Sequence, residues 1–207
     1  MLQILVSSII IYITSLQLLK YETRKDEIIQ TSAILFKKKG FSAVTMRDIA
    51  KAMGIKAASL YNHIKSKQEI LSDIIISLAE QFTEQMNVIK NSNDSNINKL
   101  RKIVALHVNI TSNSPFGMAS LNNDWMHLEG ELDYYLKLRR NYENDFRHII
   151  EEGINDNELL NGNSEVMLFS LLSTLRSLYI WLPKKEDLDI DKFTNELSLT
   201  LINGINK

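Results

Sequence analysis

The stretch TMRDIAKAMGIKAASLYNHIKSKQEIL, from Thr45 to Leu71, decides the fold. It contains two helix-start signals, Thr45 with Asp48 three residues later and Ser66 with Glu69 three residues later, and the second of these has the residues of a full capping box. A glycine between the two signals is typical of a helix end. Two short helices therefore precede a longer one, and this arrangement predicts a helix-turn-helix.

A further helix is predicted immediately before this stretch. Apolar residues recur at helical spacing between Thr23 and Phe36, and the run ends in KKKG at Gly40. Thr23 with Asp26 supplies the start signal, and cations followed by glycine supply the end signal. The two short helices are thus expected to be braced by a longer helix on each side.

The charge of the chain is unevenly distributed. The formal net charge is -1, but residues 20–69 contain 11 Lys and Arg against 5 Asp and Glu, whereas residues 70–207 contain 13 against 20. A basic N-terminal module on an acidic body predicts a head that binds a polyanion and a body with another task.

Eight residues of the basic module are expected to face one DNA duplex. A recognition helix presents short polar and cationic side chains to base edges, while helix ends and hydroxyls hold phosphates. An alanine pair at the start of the third helix is small enough to let that helix enter the major groove and to touch a thymine methyl. The residues are Thr45, Arg47, Lys56, Ala57, Ala58, Tyr61, His63 and Lys67.

The ordered motifs of residues 23–78 resemble the TetR family of transcriptional repressors. The matching string is TRKDEIIQTSAILFKKKGFSAVTMRDIAKAMGIKAASLYNHIKSKQEIL. The resemblance implies that Tyr61 and Lys67 bind phosphates and that Thr45 anchors the second helix to the DNA backbone. It also implies that Arg47, Lys56 and the alanine pair lie nearest the bases. Family members usually open the recognition helix with Ser or Thr and then a polar or basic residue, whereas this chain has Lys56 followed by Ala57.

Composition predicts an all-α protein. Two prolines and seven glycines, with abundant Leu, Ile, Lys and Glu, favour helices over sheets. We expect a helix-turn-helix DNA-binding domain in residues 20–68, joined by a long helix to an effector-binding and dimerisation domain in residues 69–207. Within the second domain the helical pattern weakens in TSNSPFG, returns from Glu131 to Glu152 and is expected to end at Gly153.

Eight apolar residues of the C-terminal domain are expected to form a dimer interface. The segment Ser164–Leu182 is apolar nearly all round, which requires burial on more than one face, and the last helix of the chain is amphipathic. Two such helices from each of two chains predict a permanent four-helix interface. The residues are Val166, Phe169, Leu172, Leu175, Tyr179, Phe193, Leu197 and Leu201.

The body also offers aromatic residues and a few cations for a small-molecule effector. This mixture suits a long amphipathic acid or its CoA thioester better than a polycation or a sugar. LRRNYENDFRHIIEEGINDNEL and RSLYIWLPK look like the C-terminal domain of fatty-acid and sterol-catabolism regulators, whose ligands are acyl-CoA thioesters. A multidrug-type repressor with a cationic ligand is the alternative. The predicted pocket residues are Trp125, Met126, His127, Tyr142, Phe146 and Arg176.

Several of these residues have a plainer interpretation. Trp125 and Met126 are more typical of core packing in a helical body than of a pocket wall. Arg176 lies inside an apolar helix, where it serves either as a counter-ion for an anionic ligand or as a paired interface residue.

The residue content argues against other classes of function. The chain has no cysteine, which excludes disulfides and thiolate metal sites and fits a reducing cytoplasm. The histidines of the body are scattered singly without a Glu-x-x-His pair, so we expect neither a metal nor a cofactor. A helical enzyme is the rival class, but no glycine-rich phosphate loop or Gly-x-Ser-x-Gly elbow is present. We expect a cytoplasmic, homodimeric repressor without catalytic residues, released from a palindromic operator by its effector.

Residues 1–19 contain no charged side chain. Their length lies at the lower limit for a membrane span, and Gln, Ser and Thr dilute their hydropathy. An extension or upstream start choice, an extra helix packed on the body and a membrane anchor all fit this composition. The anchor is the least favoured of the three, so a membrane is not an expected partner.

Overall fold

The computed structural model describes residues 23–204, and every regular element in that range is helical. The expectations for residues 1–19 lie outside the described residues. The nine α-helices are α1 (Arg24–Lys39), α2 (Met46–Ala52), α3 (Ala57–Leu60), α4 (Lys67–Lys90), α5 (Asn96–Asn113), α6 (Pro115–Asn123), α7 (Leu132–Asn155), α8 (Ser164–Trp181) and α9 (Ile190–Asn203). Three 3-10 turns occupy Phe41–Ala43, Trp125–His127 and Leu182–Lys184. The predicted all-α class, with a helical head joined to a helical body, is confirmed.

The head comprises α1, α2, α3 and the first turn of α4, and the remaining helices form the body. The helices of the head begin where the sequence signals predict. The Thr45 hydroxyl accepts from the Asp48 amide at 3.2 Å, and the Asp48 carboxylate accepts from the Thr45 amide at 2.9 Å. An equivalent capping box at Thr23 starts α1. At Ser66 only half of the predicted box forms, because the Glu69 carboxylate accepts from the Lys65 amide, at 2.7 Å, instead of the Ser66 amide.

The connection between α2 and α3 depends on Gly54. Its φ of 67° is in the left-handed region that glycine adopts without strain. The amide of Ile55 then donates to the carbonyl of Ala50 at 3.0 Å, which closes the turn. The helix that follows is a single turn, shorter than the spacing predicts. Apolar side chains buried at the centre of the head are Ile28, Phe36, Ile49, Leu60, Ile64 and Ile70.

Helix α4 runs from the head into the body. Its 24 residues span about 36 Å at the ordinary helical rise. It packs against α7 along the body and against α6 where the body meets the head. The predicted long connecting helix is therefore present.

Helix α6 occupies a region where the sequence pattern is weak. Pro115 stands at its first position, where a missing amide costs no hydrogen bond. At Gly117 the helix comes so close to α4 that a Cβ atom would lie 3.1 Å from Leu78 Cδ1 and 2.5 Å from Ser114 Oγ. Because α6 also packs against α1, it joins the head to the body.

Gly153 does not end the helix in which it lies. Helix α7 continues to Asn155, and Gly153 is buried inside it. A Cβ atom at this position would lie 2.8 Å from Leu159 Cδ1. The glycine thus permits the chain after α7 to pack back on the helix, and the expectation that it ends the helix is wrong.

Helix α8 is the apolar helix of the body. Ser164–Lys184 is the one segment among residues 23–204 that is long and apolar enough to cross a membrane, and 39% of its most apolar 18-residue window is buried within the chain. It packs against α5, α6 and α7, while α9 lies along α5. The segment is therefore accounted for as a packed helix of the body with one outward face.

Candidate functional site

The predicted DNA-binding residues occupy the helix ends of the head. Six of them, Thr45, Arg47, Lys56, Ala58, Tyr61 and His63, are exposed, and Ala57 is half-buried. The Tyr61 ring is 53% exposed although it is large and aromatic. Lys56 is the N-cap residue of α3 and makes no side-chain capping bond. These seven side chains are accessible to a partner, as a DNA contact requires.

Thr45 has a second role inside the head. Its hydroxyl donates to the Asp48 carboxylate at 2.5 Å. Hydrogen bonds from the Thr45 hydroxyl and amide, aided by Lys39 and Lys51, lower the pKa of Asp48 against a small opposing effect of burial. Asp48 therefore carries its charge at the N-terminus of α2, where a negative charge is stabilising.

Lys67 has internal partners where the resemblance implies a phosphate. Its ammonium donates to the carbonyls of Phe41 at 2.7 Å, Val44 at 2.8 Å and Ser42 at 3.5 Å. It also lies 4.2 Å from the centroid of the Phe41 ring. An ammonium has three donors, and these three carbonyls engage all of them. In this conformation Lys67 fastens the turn before α2 to α4.

A cavity of about 340 Å³ opens in the body between α4, α5, α6, α7 and α8. That volume lies in the range of small-molecule sites, and the wall is mainly apolar. Three of the six predicted pocket residues, Trp125, Tyr142 and Arg176, line it. The other lining residues are Ala79, Phe82, His107, Met118, Leu121, Asn122, Tyr135, Leu138, Arg139 and Leu172.

The remaining three predicted pocket residues lie elsewhere. Met126 is 63% exposed to solvent. His127 stacks on the head residue Phe41, with ring centroids 5.2 Å apart and an interplanar angle of 27°. Phe146 is buried in the core of the body and is not among the residues that line the cavity. Their placement in the cavity wall is wrong, because the 3-10 turn directs Met126 and His127 away from the cavity and Phe146 of α7 packs into the core of the body instead.

A buried histidine forms part of the wall. His107 Nε2 lies 2.8 Å from the Tyr142 hydroxyl, and its ring packs against Phe82 at 4.7 Å. Burial, with a smaller effect from Arg176, lowers the pKa of His107 to about 3, so the imidazole is neutral at physiological pH. Burial also raises the pKa of Tyr142. Sequence reasoning counted His107 as one of several scattered histidines and missed this pair.

Two arginines of the wall share one carboxylate. Arg176 donates to Glu143 Oε1 at 2.5 Å, and Arg139 donates to the same oxygen at 3.1 Å. Burial acts to raise the pKa of Glu143, but the two arginines outweigh it and lower the pKa. Arg139 also lies 5.6 Å from the centroid of the Trp125 ring. Two positive charges thus face one negative charge, so this side of the cavity is electropositive. Arg176 is thus paired with Glu143 within the chain and also lines the cavity.

The predicted dimer residues divide into two groups. Val166 is 61% exposed and Phe169 is 72% exposed, as an interface in a single chain requires. Leu172 and Leu175 are buried, Leu172 at the cavity wall and Leu175 completely, so their assignment to the interface is wrong. The half-buried members are Tyr179, Phe193, Leu197 and Leu201.

Two further residues extend the exposed face of α8. Ile180 and Trp181 are large apolar side chains with exposed surface, and the Trp181 ring stacks on Phe193 of α9 at 5.0 Å. Sequence reasoning missed both residues, although they lie in the same apolar run as Phe169.

Two family models match the chain. The model described as "Bacterial regulatory proteins, tetR family" matches residues 28–74, and the model described as "Tetracyclin repressor-like, C-terminal domain" matches residues 93–205. The first covers the head from residue 28 and the start of α4, and the second covers more than half of the chain.

Curated relatives match over part of their length. The HTH-type transcriptional repressor KstR2 of Mycolicibacterium smegmatis is 33% identical over 78 residues, which are 38% of this chain and 38% of that protein. KstR2 of Rhodococcus jostii is 27% identical over 136 residues, 64% of this chain and 66% of that protein. The chain thus aligns with less than two thirds of either relative.

Solved structures match over most of the chain. The ketosteroid transcriptional regulator KstR2 of Mycobacterium tuberculosis superposes with a TM-score of 0.84 at 17% identity, covering 90% of this chain and 97% of that chain. AibR in complex with isovaleryl coenzyme A and operator DNA superposes with a TM-score of 0.72 at 20% identity, covering 87% and 98%. At such identities these likenesses show the fold, while the family follows from the two models. The chain belongs to the TetR family of transcriptional regulators, which are not enzymes.

Proposed function

We propose that the protein is a homodimeric repressor that binds a palindromic operator and is released by an anionic amphipathic effector, such as an acyl-CoA thioester. The observation that carries this proposal is the cavity of the body, whose apolar wall includes two arginines that share one carboxylate. Because the same chain carries a helix-turn-helix head, a ligand in the cavity can control DNA binding. The protein would act in the cytoplasm, with residues 20–68 as the DNA-binding domain and residues 69–207 as the effector and dimer domain.

The DNA surface is assigned to the seven accessible residues of the head. Arg47, Lys56 and the Ala57–Ala58 pair would lie nearest the bases, with His63 beside them. Tyr61 would contact a phosphate, and Thr45, the N-cap of α2, would anchor that helix to the DNA backbone, since both are exposed at helix ends. Lys67 is left out of this surface because its ammonium is already bonded to three carbonyls.

The dimer is assigned to the outward face of α8 with α9. Single exposed apolar residues are ordinary on a protein surface, but Val166, Phe169 and Ile180 follow one another along a single helix. A second copy of the same face would bury them in a closed, two-fold interface. Pairing two heads in this way also suits a palindromic operator, whose half-sites repeat with the same symmetry.

A matched pair of valines tests the dimer. Val166 on α8 and Val88 on α4 are 61% and 63% exposed. Val166→Glu should sediment as a monomer because it would bury an unpaired charge, whereas Val88→Glu should remain a dimer. Dimers of equal stability in both variants, or a monomeric wild type, would contradict the assignment.

The effector is assigned from the charge and size of the cavity. The electropositive side favours an anion, and the apolar side favours a hydrocarbon chain or ring system. With about 30 Å³ for each water-sized group, 340 Å³ holds on the order of ten such groups. An acyl group fits this space, and the nucleotide of a CoA thioester would then lie outside it. The AibR structure contains isovaleryl coenzyme A, which supports this class of ligand.

Release from DNA tests the effector. Acyl-CoAs of graded length would be added to the protein bound to a duplex selected from random sequence, and both fluorescence anisotropy and thermal stability would be followed. We expect release at micromolar concentration together with a higher Tm. If no chain length changes either quantity while a cationic drug changes both, the ligand is a cation and the acyl-CoA assignment fails.

Two neighbouring arginines sharpen this test. Arg139 lines the cavity, whereas Arg140 is exposed and does not. Arg139→Gln should weaken binding of the active acyl-CoA by about tenfold, as the loss of a charge-assisted hydrogen bond would. Arg140→Gln should leave this affinity unchanged. Equal affinities in the two variants would place the anion elsewhere.

A further inference from the structure

Three consecutive residues of one 3-10 turn face three different environments. Trp125 lines the cavity, Met126 is exposed to solvent, and His127 stacks on Phe41 of the head. We infer that this turn transmits occupancy of the cavity to the DNA-binding head, with His127 and Phe41 as the positioning residues. The inference rests on the proposed function, because it requires an effector in the cavity.

On the cavity side the turn is held by aromatic and cationic contacts. The Trp125 ring lies 6.0 Å from the Tyr135 ring and 5.6 Å from the Arg139 guanidinium. Leu121 and Asn122, in the last turn of α6, belong to the same wall and lie four and three residues before Trp125. An effector bound at this wall would contact Trp125 and its neighbours Tyr135 and Arg139. Binding therefore changes the position of the turn.

On the head side the turn meets the segment that starts α2. Phe41 opens the 3-10 turn Phe41–Ala43, and Thr45, two residues after that turn, is the N-cap of α2. The Phe41 ring contacts both His127 of the body and the Lys67 ammonium, which also binds the carbonyl of Val44. A shift of His127 therefore acts on the base of the helix-turn-helix.

The residues after the turn add a second contact with the head. Gln68 on the first turn of α4 donates to the Glu129 carboxylate at 2.8 Å. Leu128, which lies between His127 and Glu129, is buried and packs in the core. The segment that leaves α6 is thus fastened to the head on either side of one buried leucine, and it can pass a displacement on instead of absorbing it.

Helix α4 is the competing route between the two sites. It also contributes to both, but its first cavity residue, Ala79, lies twelve residues from Lys67. In the 3-10 turn, Trp125 and His127 are two residues apart. A substitution at the turn can therefore interrupt one route and leave α4 intact.

A cycle of substitutions without ligand tests the turn directly. Trp125→Ala alters the cavity wall and should change the Kd for the selected operator at least twofold, as coupled positions do. In a His127→Ala background the same substitution should leave the Kd unchanged. A Trp125→Ala effect of equal size in both backgrounds would overturn the inference, whatever the natural effector is.

A second measurement uses decanoyl-CoA as the probe. The wild type, His127→Ala, His127→Phe and Met126→Ala should bind it equally, because none of these changes reaches the cavity wall. The factor by which it weakens operator binding should fall about tenfold in His127→Ala. His127→Phe, which keeps a stacked ring, and Met126→Ala should retain the factor of the wild type.

The outcomes separate this inference from the proposed function. A full release factor in His127→Ala, or an equal loss in Met126→Ala, overturns the role of the turn. A wild type that binds no acyl-CoA contradicts the proposed effector, and the ligand-free cycle then still decides about the turn.

Discussion

The head and the body of this protein are held together in different ways. In the head, α2 and α3 have only seven and four residues, and polar contacts such as the capping box at Thr45 and the three carbonyls around Lys67 hold their ends. In the body, α5, α7 and α8 have 18, 24 and 18 residues, and buried apolar side chains recur along them. Local polar contacts thus supplement the apolar core of the head, whereas apolar burial is the main source of stability in the body.

The difference suits what each region has to offer. Polar contacts at helix ends hold the helices of the head in place, while the seven side chains assigned to the DNA surface remain accessible. Apolar packing fixes the body around a cavity, and a ligand that fills this cavity stabilises the folded chain. Three substitutions test how far the contrast holds.

The largest effect is expected in the body. Leu175 is completely buried, and Leu175→Ala should lower the free energy of unfolding by about 2–5 kcal/mol through lost burial and a new cavity. Leu160→Ala, at a residue 41% exposed, is the control and should change the free energy by less than about 0.5 kcal/mol. Denaturant unfolding measures both. A small loss for Leu175→Ala would mean that the body does not depend on its core as described.

A smaller effect is expected in the head. Lys67→Met removes the hydrogen bonds to three carbonyls and should destabilise the head by about 1–3 kcal/mol. Faster amide exchange in residues 41–46 would report the change. Lys65→Met, at an exposed lysine nearby, is the control.

The salt dependence of DNA binding decides between the two roles of Lys67. If the ammonium fastens the turn, Lys67→Met should leave the salt slope of operator binding unchanged. A slope reduced by about one, with unchanged stability, would instead identify a phosphate contact.

The smallest effect concerns pH. The pKa of His107 in the folded chain is about 3, below its ordinary value near 6.5, so the unfolded chain binds the proton more readily. Its contribution to stability is complete above pH 6.5 and is lost as the pH falls towards 3. Between pH 6.5 and 5.5 the wild type should lose about 1 kcal/mol relative to His107→Gln. Parallel curves for the wild type and His107→Gln would contradict the neutral, buried imidazole.

The sequence predicts local features well because their partners are close in the chain. The capping boxes at Thr23 and Thr45 and the left-handed Gly54 each depend on residues within a few positions. The same kind of signal is misleading at Gly153, because the reason for that glycine is its contact with Leu159 across a turn. A glycine can mark a left-handed turn, as Gly54 does, or a close contact, as Gly153 does, and only the fold distinguishes the two.

Features that depend on distant partners are predicted less well. Helix α8 is apolar nearly all round, so its pattern cannot separate Leu172 and Leu175, which face inward, from Val166 and Phe169, which face outward. His127 meets a partner 86 residues earlier in the chain, and no local pattern carries that information. Trp125, Tyr142 and Arg176 can be predicted because pocket walls favour aromatic and cationic residues, whereas the place of His107 in the wall depends on the fold.

The exposed face of α8 would make repression depend on how much of the protein a cell contains. Suppose that two chains must pair through Val166 and Phe169 before their two heads can bind an operator. Occupancy of the operator then rises with the square of the chain concentration as long as most chains are monomeric. A twofold change in gene dosage would then alter repression about fourfold at low expression and little at high expression. Copy number would set the threshold at which any inducer begins to act.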